Sequence, residues 1–191
     1  FVMGTIIMIS TSSVRNQLDS TRKGSVTGAT LYGLVRMQRE IEDATYLSLP
    51  SSFTGDILAG CTNWSLVNAG PDKRLDTTPS ASVTAFCYCV SGAALLRYSA
   101  IAANSCNLAA LASCTTPGSC GGGSPETVVY SKPGFYRQST WSYFVRSKAV
   151  SGITLHGNIG SPTPTAQNPN PSFFKIDTHI SMAKSYNNTL D

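Results

Sequence analysis

The sequence predicts an α+β fold, with a long N-terminal α-helix packed on a C-terminal antiparallel β-sheet whose loops are tied by disulfides. Three observations predict it. Apolar residues recur at helical spacing up to Pro50, and beyond it short strand-like runs alternate with Gly, Pro, Ser and Thr. The third is a set of six cysteines, Cys61, Cys87, Cys89, Cys106, Cys114 and Cys120, gathered in one third of the chain. The 191 residues allow a proper core with an extension, divided here into an assembly stem over 1–50 and a β-rich head over 51–191.

The stem is read first. Leu31, Leu34/Val35, Ile41, Ala44 and Leu47 follow a helical period, and GLVRMQREIEDAT (Gly33–Thr45) is built of strong helix formers. Leu31, Leu34, Val35, Ile41 and Ala44 are therefore assigned to helix–sheet packing. Arg36 and Glu40 are spaced i,i+4, as are Arg39 and Asp43, so Glu40, Glu42 and Asp43 are expected on a solvated, charge-paired face. Leu49 precedes Pro50 and is pushed out of helical geometry, which closes the element. Upstream, Val14 and Leu18 keep a thinner stripe, while Gly24 and Gly28 each weaken the helix by about 1 kcal/mol relative to Ala. If continuous, the helix is roughly 70 Å long. A domain of this size cannot bury that length, so the front half needs another partner.

The first ten residues, FVMGTIIMIS, sharpen the point. The apolar run stops at Ser10, where polar text begins. Nine helical residues span about 13 Å, against roughly 30 Å for a bilayer core, so the stub does not cross a membrane alone. It shows neither the basic start nor the small-residue cleavage site of a signal peptide. Burial against neighbouring copies is the expectation, at about 25 cal/mol per Å² of apolar surface removed from water. Phe1, Val2, Met3, Ile6, Ile7, Met8, Ile9, Val14 and Leu18 are the candidate contacts; packing back onto the chain's own domain is the competing reading. STSSV and KGSVTG are the weak spots where such a helix would melt.

In the head, SVTAFCYCVSG (Ser82–Gly92) reads as a strand, with Val83, Ala85, Cys87 and Cys89 on one face. Phe86, Tyr88 and Val90 take the other. Gly92 turns the chain into a second strand, ALLRYSAI, to make a hairpin. Further strands are expected at Thr127–Ser131, Ser139–Arg146, Gly152–Gly157 and Phe173–Ser181. The Gly- and Pro-rich stretches between them read as loops.

Composition limits the function. Only 13% of residues are charged, against about 25% in typical domains, and the net charge of +4 is scattered rather than clustered. No nucleic-acid surface is expected. No CxxC pair occurs, and His156 and His179 lie far downstream, which opposes a zinc site. Disulfides in an oxidising compartment account better for the cysteines, with fifteen connectivities open. There is no G-x-S-x-G elbow, and both His read as strand surface positions. The GSCGGGSP loop (Gly118–Pro125) lacks the Lys-Ser/Thr of a phosphate cradle. Asp72 and Asp76 are separated by Lys73 and Arg74, a poor charge balance for calcium. No enzyme, cofactor or metal is expected. Asn63 and Asn187 stand in sequons and are possible glycosylation sites.

Two stretches, LVRMQREIEDATYL and FCYCVSGAALLRYSA, resemble the late helix and the central hairpin of the type IV pilin and pseudopilin superfamily. The resemblance covers roughly residues 1–100 and is nearest to the J-class pseudopilins of type II secretion and the W-class minor pilins. It implies a structural subunit of an extracellular or cell-surface filament, anchored in the inner membrane before assembly, whose partners are copies of itself or related subunits. Family members begin with Phe and carry Glu at the fifth position of a much longer apolar segment. Here Phe1 matches but position five is Thr5, so the chain is expected to begin inside that segment, and no residue takes the Glu role. The alternatives are a surface-adhesion or secretion-machinery binding module, such as a minor tip subunit, and the coat protein of a filamentous particle.

Overall fold

A computed structural model describes residues 28–62, 82–103, 105–116, 119–132, 134–138, 141–146, 151–160 and 173–182. Within them the chain builds one helix, α1 (28–42), a 3-10 turn at Leu108–Leu111 that runs into a short helix, α2 (Ala112–Thr115), and ten strands. The strands are β1 (Ala44–Leu49), β2 (Thr54–Gly55), β3 (Ile57–Thr62), β4 (Ser82–Ser91) and β5 (Ala94–Ala103). They continue as β6 (Glu126–Val129), β7 (Phe135–Tyr136), β8 (Phe144–Arg146), β9 (Gly152–Gly160) and β10 (Phe173–Ser181). Sheet 1 has the order β1-β3-β4-β5-β6, and sheet 2 the order β10-β9-β8-β2 with β7 also paired to β9. Every pairing is antiparallel.

This corrects the expected fold class. Strand makes up 53% of the described residues, in two antiparallel sheets rather than one, and no long helix is found among the described residues, α1 ending at 42. The stretch read as the end of the helix, Ala44 and Leu47 included, is strand β1. The reason is local. Register shifts between Ala44 and Tyr46 and between Leu47 and Leu49 interrupt the β1–β3 ladder. Bulges of this kind break the two-residue alternation of a strand. Ala44 and Leu47 are both buried, three positions apart, and so imitate a helical period. Asp43 N–H donates to Arg39 C=O at 2.9 Å and closes α1 just before the strand starts.

The β4–β5 hairpin is the centre of sheet 1. Ser91 pairs with Ala94 across a two-residue turn, and Gly92 and Ala93 both have positive φ, 55° and 64°. That is the primed geometry matched to the twist of the strands. Along β4 the side chains alternate as expected. Phe86 and Tyr88 enter a core shared with Met37 and Ile41 of α1, Leu58 of β3, Val129 of β6, and Phe144, Ile153, Leu155 and Ile176 of sheet 2. Val83, Ala85, Cys87 and Cys89 face the other way, into a second core with Leu96, Tyr98, Leu111 and Cys114.

Three disulfides cover that second face: Cys61–Cys106, Cys87–Cys114 and Cys89–Cys120. Each joins a sheet 1 cysteine to the segment after β5, so a short non-strand stretch is clamped on the sheet as its outer layer. Gly121 N–H donates to Tyr98 Oη at 2.9 Å and holds the glycine-rich end of the clamp. In sheet 2, a Cβ on Gly157 would come within 2.2 Å of the buried Phe135 ring, so only glycine fits beneath it.

The strand expectations hold in most places and shift in others. Among the described residues of the segment expected at Ser139–Arg146, strand covers Phe144–Arg146. β9 runs on to Gly160, and β1, β2, β3 and β7 are additional.

Candidate functional site

The most structured polar site lies where α1 crosses sheet 1. Tyr88 and Arg97 are directly opposite each other on β4 and β5, on the face that looks at the helix. α1 brings Glu40 between them. Arg97 binds Glu40 through two nitrogens, Nε donating to Oε2 at 2.8 Å and Nη2 to Oε1. Tyr88 Oη donates to the same Oε2 at 2.5 Å. Arg97 Nη1 also donates to Ser99 Oγ at 3.1 Å and to Glu126 Oε2 at 3.3 Å, and Glu126 is held from the other side by Arg36. The Arg97 and Glu40 side chains are only 9% and 11% exposed, whereas Arg36 and Glu126 are close to half exposed.

This network corrects the expected solvated face. Arg36 and Glu40 do not pair with each other along the helix; each pairs across to a strand. A helix lying on a sheet turns one side inward, and Glu40 falls on that side with Met37, Ile41 and Leu34. A carboxylate there needs a partner, because burying it alone is far costlier than burying it paired and hydrogen-bonded.

The surroundings hold Tyr88 and Arg97 in their protonated forms. Burial first, and the Glu40 carboxylate second, push the Tyr88 hydroxyl well above the ordinary phenol range. The hydrogen bonds to Glu40 lead in raising Arg97, against the opposing effect of its own burial. Neither group can shed a proton near neutral pH. The cluster acts as a clamp between helix and sheet.

Beside the clamp is a shallow cavity of about 170 Å³, rimmed by Tyr32, Arg36, Glu126 and Tyr130 with Gly33 at its wall. It is smaller than the ~300–1,000 Å³ of ordinary small-molecule pockets. Next to it, α1 carries a second apolar face. Thr30, Met37 and Ile41 are buried and Leu34 packs on the core, yet Leu31, Val35 and Tyr32 are 46%, 47% and 74% exposed.

The expected helix–sheet residues therefore divide. Leu34, Ile41 and Ala44 are inside, with Ala44 on strand β1 rather than on the helix, while Leu31 and Val35 point outward. Thr30 and Met37 supply the missing inward positions. The inward stripe runs 30, 34, 37, 41, one step out of phase with 31 and 35, and Glu40 falls beside it.

All six candidate cysteines are paired as described above. His156 and His179 lie on β9 and β10; His179 is exposed, as expected of a strand surface position, whereas the His156 side chain is largely covered. The candidate filament contacts Phe1, Val2, Met3, Ile6, Ile7, Met8, Ile9, Val14 and Leu18 lie outside the described residues. So do the sequon residues Asn63 and Asn187, and Asp72 and Asp76. Among the described residues no group of three His, Cys, Asp or Glu could hold a metal ion, and no helix is long and apolar enough to cross a membrane. Sequence reasoning missed the Glu40–Arg97–Tyr88 clamp; the one available signal was an acidic residue in phase with Met37 and Ile41. No family model, curated protein or solved structure matches this chain.

Proposed function

We propose that this chain is a non-enzymatic structural subunit that assembles with copies of itself, or with related subunits, into an extracellular pilus- or pseudopilus-like filament. The observation that carries the reading is the two-sided apolar character of α1. Its inner stripe is covered by the chain's own sheets, and its outer stripe, Leu31, Tyr32 and Val35, is left in water. A helix in a globular domain normally has one apolar side, and an uncovered second one marks a contact surface.

Three further features support it. The apolar Phe1–Ile9 run precedes the same helix in the sequence and has the composition of a buried contact segment. Three disulfides suit an oxidising exterior. The resemblance of LVRMQREIEDATYL and FCYCVSGAALLRYSA to pilin and pseudopilin sequences agrees with assembly through the N-terminal region. Anchoring of the Phe1–Ile9 region in the inner membrane before assembly belongs to the same proposal.

The test compares the full 191-residue chain with a Leu31→Glu/Val35→Glu variant, by negative-stain electron microscopy and sedimentation velocity. The parent should form fibres or large oligomers. The variant should remain folded, its stability changed by less than about 0.5 kcal/mol because both positions face water, and should fail to assemble. A parent that stays monomeric at about 100 μM, an affinity range in which even weak specific interfaces are occupied, overturns the reading.

A further inference from the structure

The outward face of sheet 2 carries side chains that are held firmly in place yet leave the largest of them uncovered. Thr154, His156 and Asn158 alternate along β9, opposite His179, Asp177 and Lys175 on β10. His156 Nδ1 is 3.2 Å from Asp177 Oδ1, and Lys175 Nζ is 3.5 Å from the other carboxylate oxygen. Trp141 lies on the His156 ring, with centroids 5.2 Å apart and planes tilted by 30°. One side of the indole thus rests on the imidazole, and Trp141 remains 52% exposed.

Trp141 is fastened, not draped. Its backbone N–H donates to Gln138 C=O at 3.0 Å. The Gln138 side-chain amide donates to Gly157 C=O at 2.8 Å and to Ile176 C=O at 2.6 Å, tying Gln138 to both β9 and β10. On the other side, His156 N–H donates to Tyr143 C=O at 2.8 Å. A tryptophan encloses ~150–250 Å² of surface when packed. Here about half of the residue's surface stays in water, with the ring set against His156 on the outward face of sheet 2.

The chemistry around it narrows the ligand. Charge cancels locally, Lys175 against Asp177 and Arg137 against Asp56. An anion would meet Asp177 and a cation would meet Lys175. A neutral molecule with hydroxyls around an apolar face satisfies both, together with the amide of Asn158. A proline-rich peptide calls for a groove lined by several aromatics, whereas the described ring contact of Trp141 is His156 alone.

We propose that this face, centred on Trp141, binds a neutral polysaccharide of equatorially linked, flat-faced sugars. The indole takes the C–H face of one ring, and Asp177, Lys175 and Asn158 exchange hydrogen bonds with its hydroxyls. His156 is a positioning residue that supports the indole from below. The site is independent of α1, so assembly and sugar binding can fail separately.

The experiment titrates the full chain with cellohexaose and chitohexaose by calorimetry. A Trp64→Phe background, in which Trp141 is the single remaining tryptophan, is followed in parallel by fluorescence. At least one hexasaccharide should bind saturably with Kd at or below about 1 mM. Trp141→Ala should weaken it by at least about tenfold, as expected when a central aromatic anchor is truncated, and Trp141→Tyr should restore part of the loss. Asp177→Ala, which unpins His156, should weaken binding several-fold while circular dichroism and Tm stay close to the parent. Failure of both sugars to saturate by about 10 mM, undiminished binding by Trp141→Ala, or tighter binding of decaproline at Trp141 would overturn the proposal.

Discussion

Arg97 on β5 holds Glu40 on α1 through both carboxylate oxygens, while Tyr88, opposite Arg97 on β4, donates to one of them. Helix and sheet are thereby joined by a buried polar contact, beside the half-exposed Arg36–Glu126 pair. A buried pair of this kind adds little over a well-packed apolar substitute, yet removing one member leaves the other charge stranded. Glu40→Ala should therefore cost about 3–5 kcal/mol. Arg36→Ala, which breaks the half-exposed pair with Glu126, should cost under about 1 kcal/mol. Urea unfolding of the two variants measures both, and equal losses would contradict the distinction drawn between them.

Alkaline pH should loosen the same lock. The folded Tyr88 hydroxyl titrates above its unfolded value, which is near 10. The unfolded state therefore releases this proton first as pH rises, and above that point it binds fewer protons than the native state. Stability contributed by Tyr88 is complete below about pH 10 and is lost as pH climbs beyond it. Tyr88→Phe should flatten this alkaline decline, at the cost of one hydrogen bond to Glu40. Denaturation midpoints between pH 8 and pH 11 should show the difference in slope.

The disulfide clamp yields a pairing and a magnitude. Non-reducing peptide mapping should recover Cys61–Cys106, Cys87–Cys114 and Cys89–Cys120 and no free thiol, all six cysteines being paired. Removing the middle bridge as Cys87→Ala/Cys114→Ala opens a loop with sequence separation 27. In the chain-entropy account this costs about 3–4 kcal/mol. Recovery of any other pairing would put the covering segment elsewhere on sheet 1.

Two backbone positions should respond in opposite directions. Gly157→Ala drives a methyl into the Phe135 ring, which is fully enclosed between the sheets, and should destabilise by about 1–3 kcal/mol. Ala93→Gly relieves a left-handed residue in the β4–β5 turn and should stabilise by up to about 1 kcal/mol. Thermal unfolding of the pair separates the effects by sign alone.

The hairpin and the two faces of β4 were legible because period-two alternation needs no knowledge of the partner. Cys87 and Cys89 fall on one face of β4, and Phe86 and Tyr88 on the other, whatever they pack against. The end of α1 was not legible, because Ala44 and Leu47 keep a helical spacing for a different cause, the bulges of β1. The phase of α1 was equally hidden. Leu31 and Val35 are as apolar as Leu34 and Ile41, and hydropathy alone cannot rank two apolar stripes on one helix.

What the sequence determined by itself was the chemistry that travels with single segments: the two faces of β4, the turn at Gly92, a cysteine set fit for disulfides, and an apolar N-terminal run. The tertiary structure decided which cysteines join, that the strands form two sheets, and that Glu40 faces inward. The reason is distance along the chain. Glu40 and Arg97 are 57 residues apart, and the cost of burying either depends on whether the other is there to meet it. Such a pairing term belongs to neither segment alone and exists only once the strands have brought the two together.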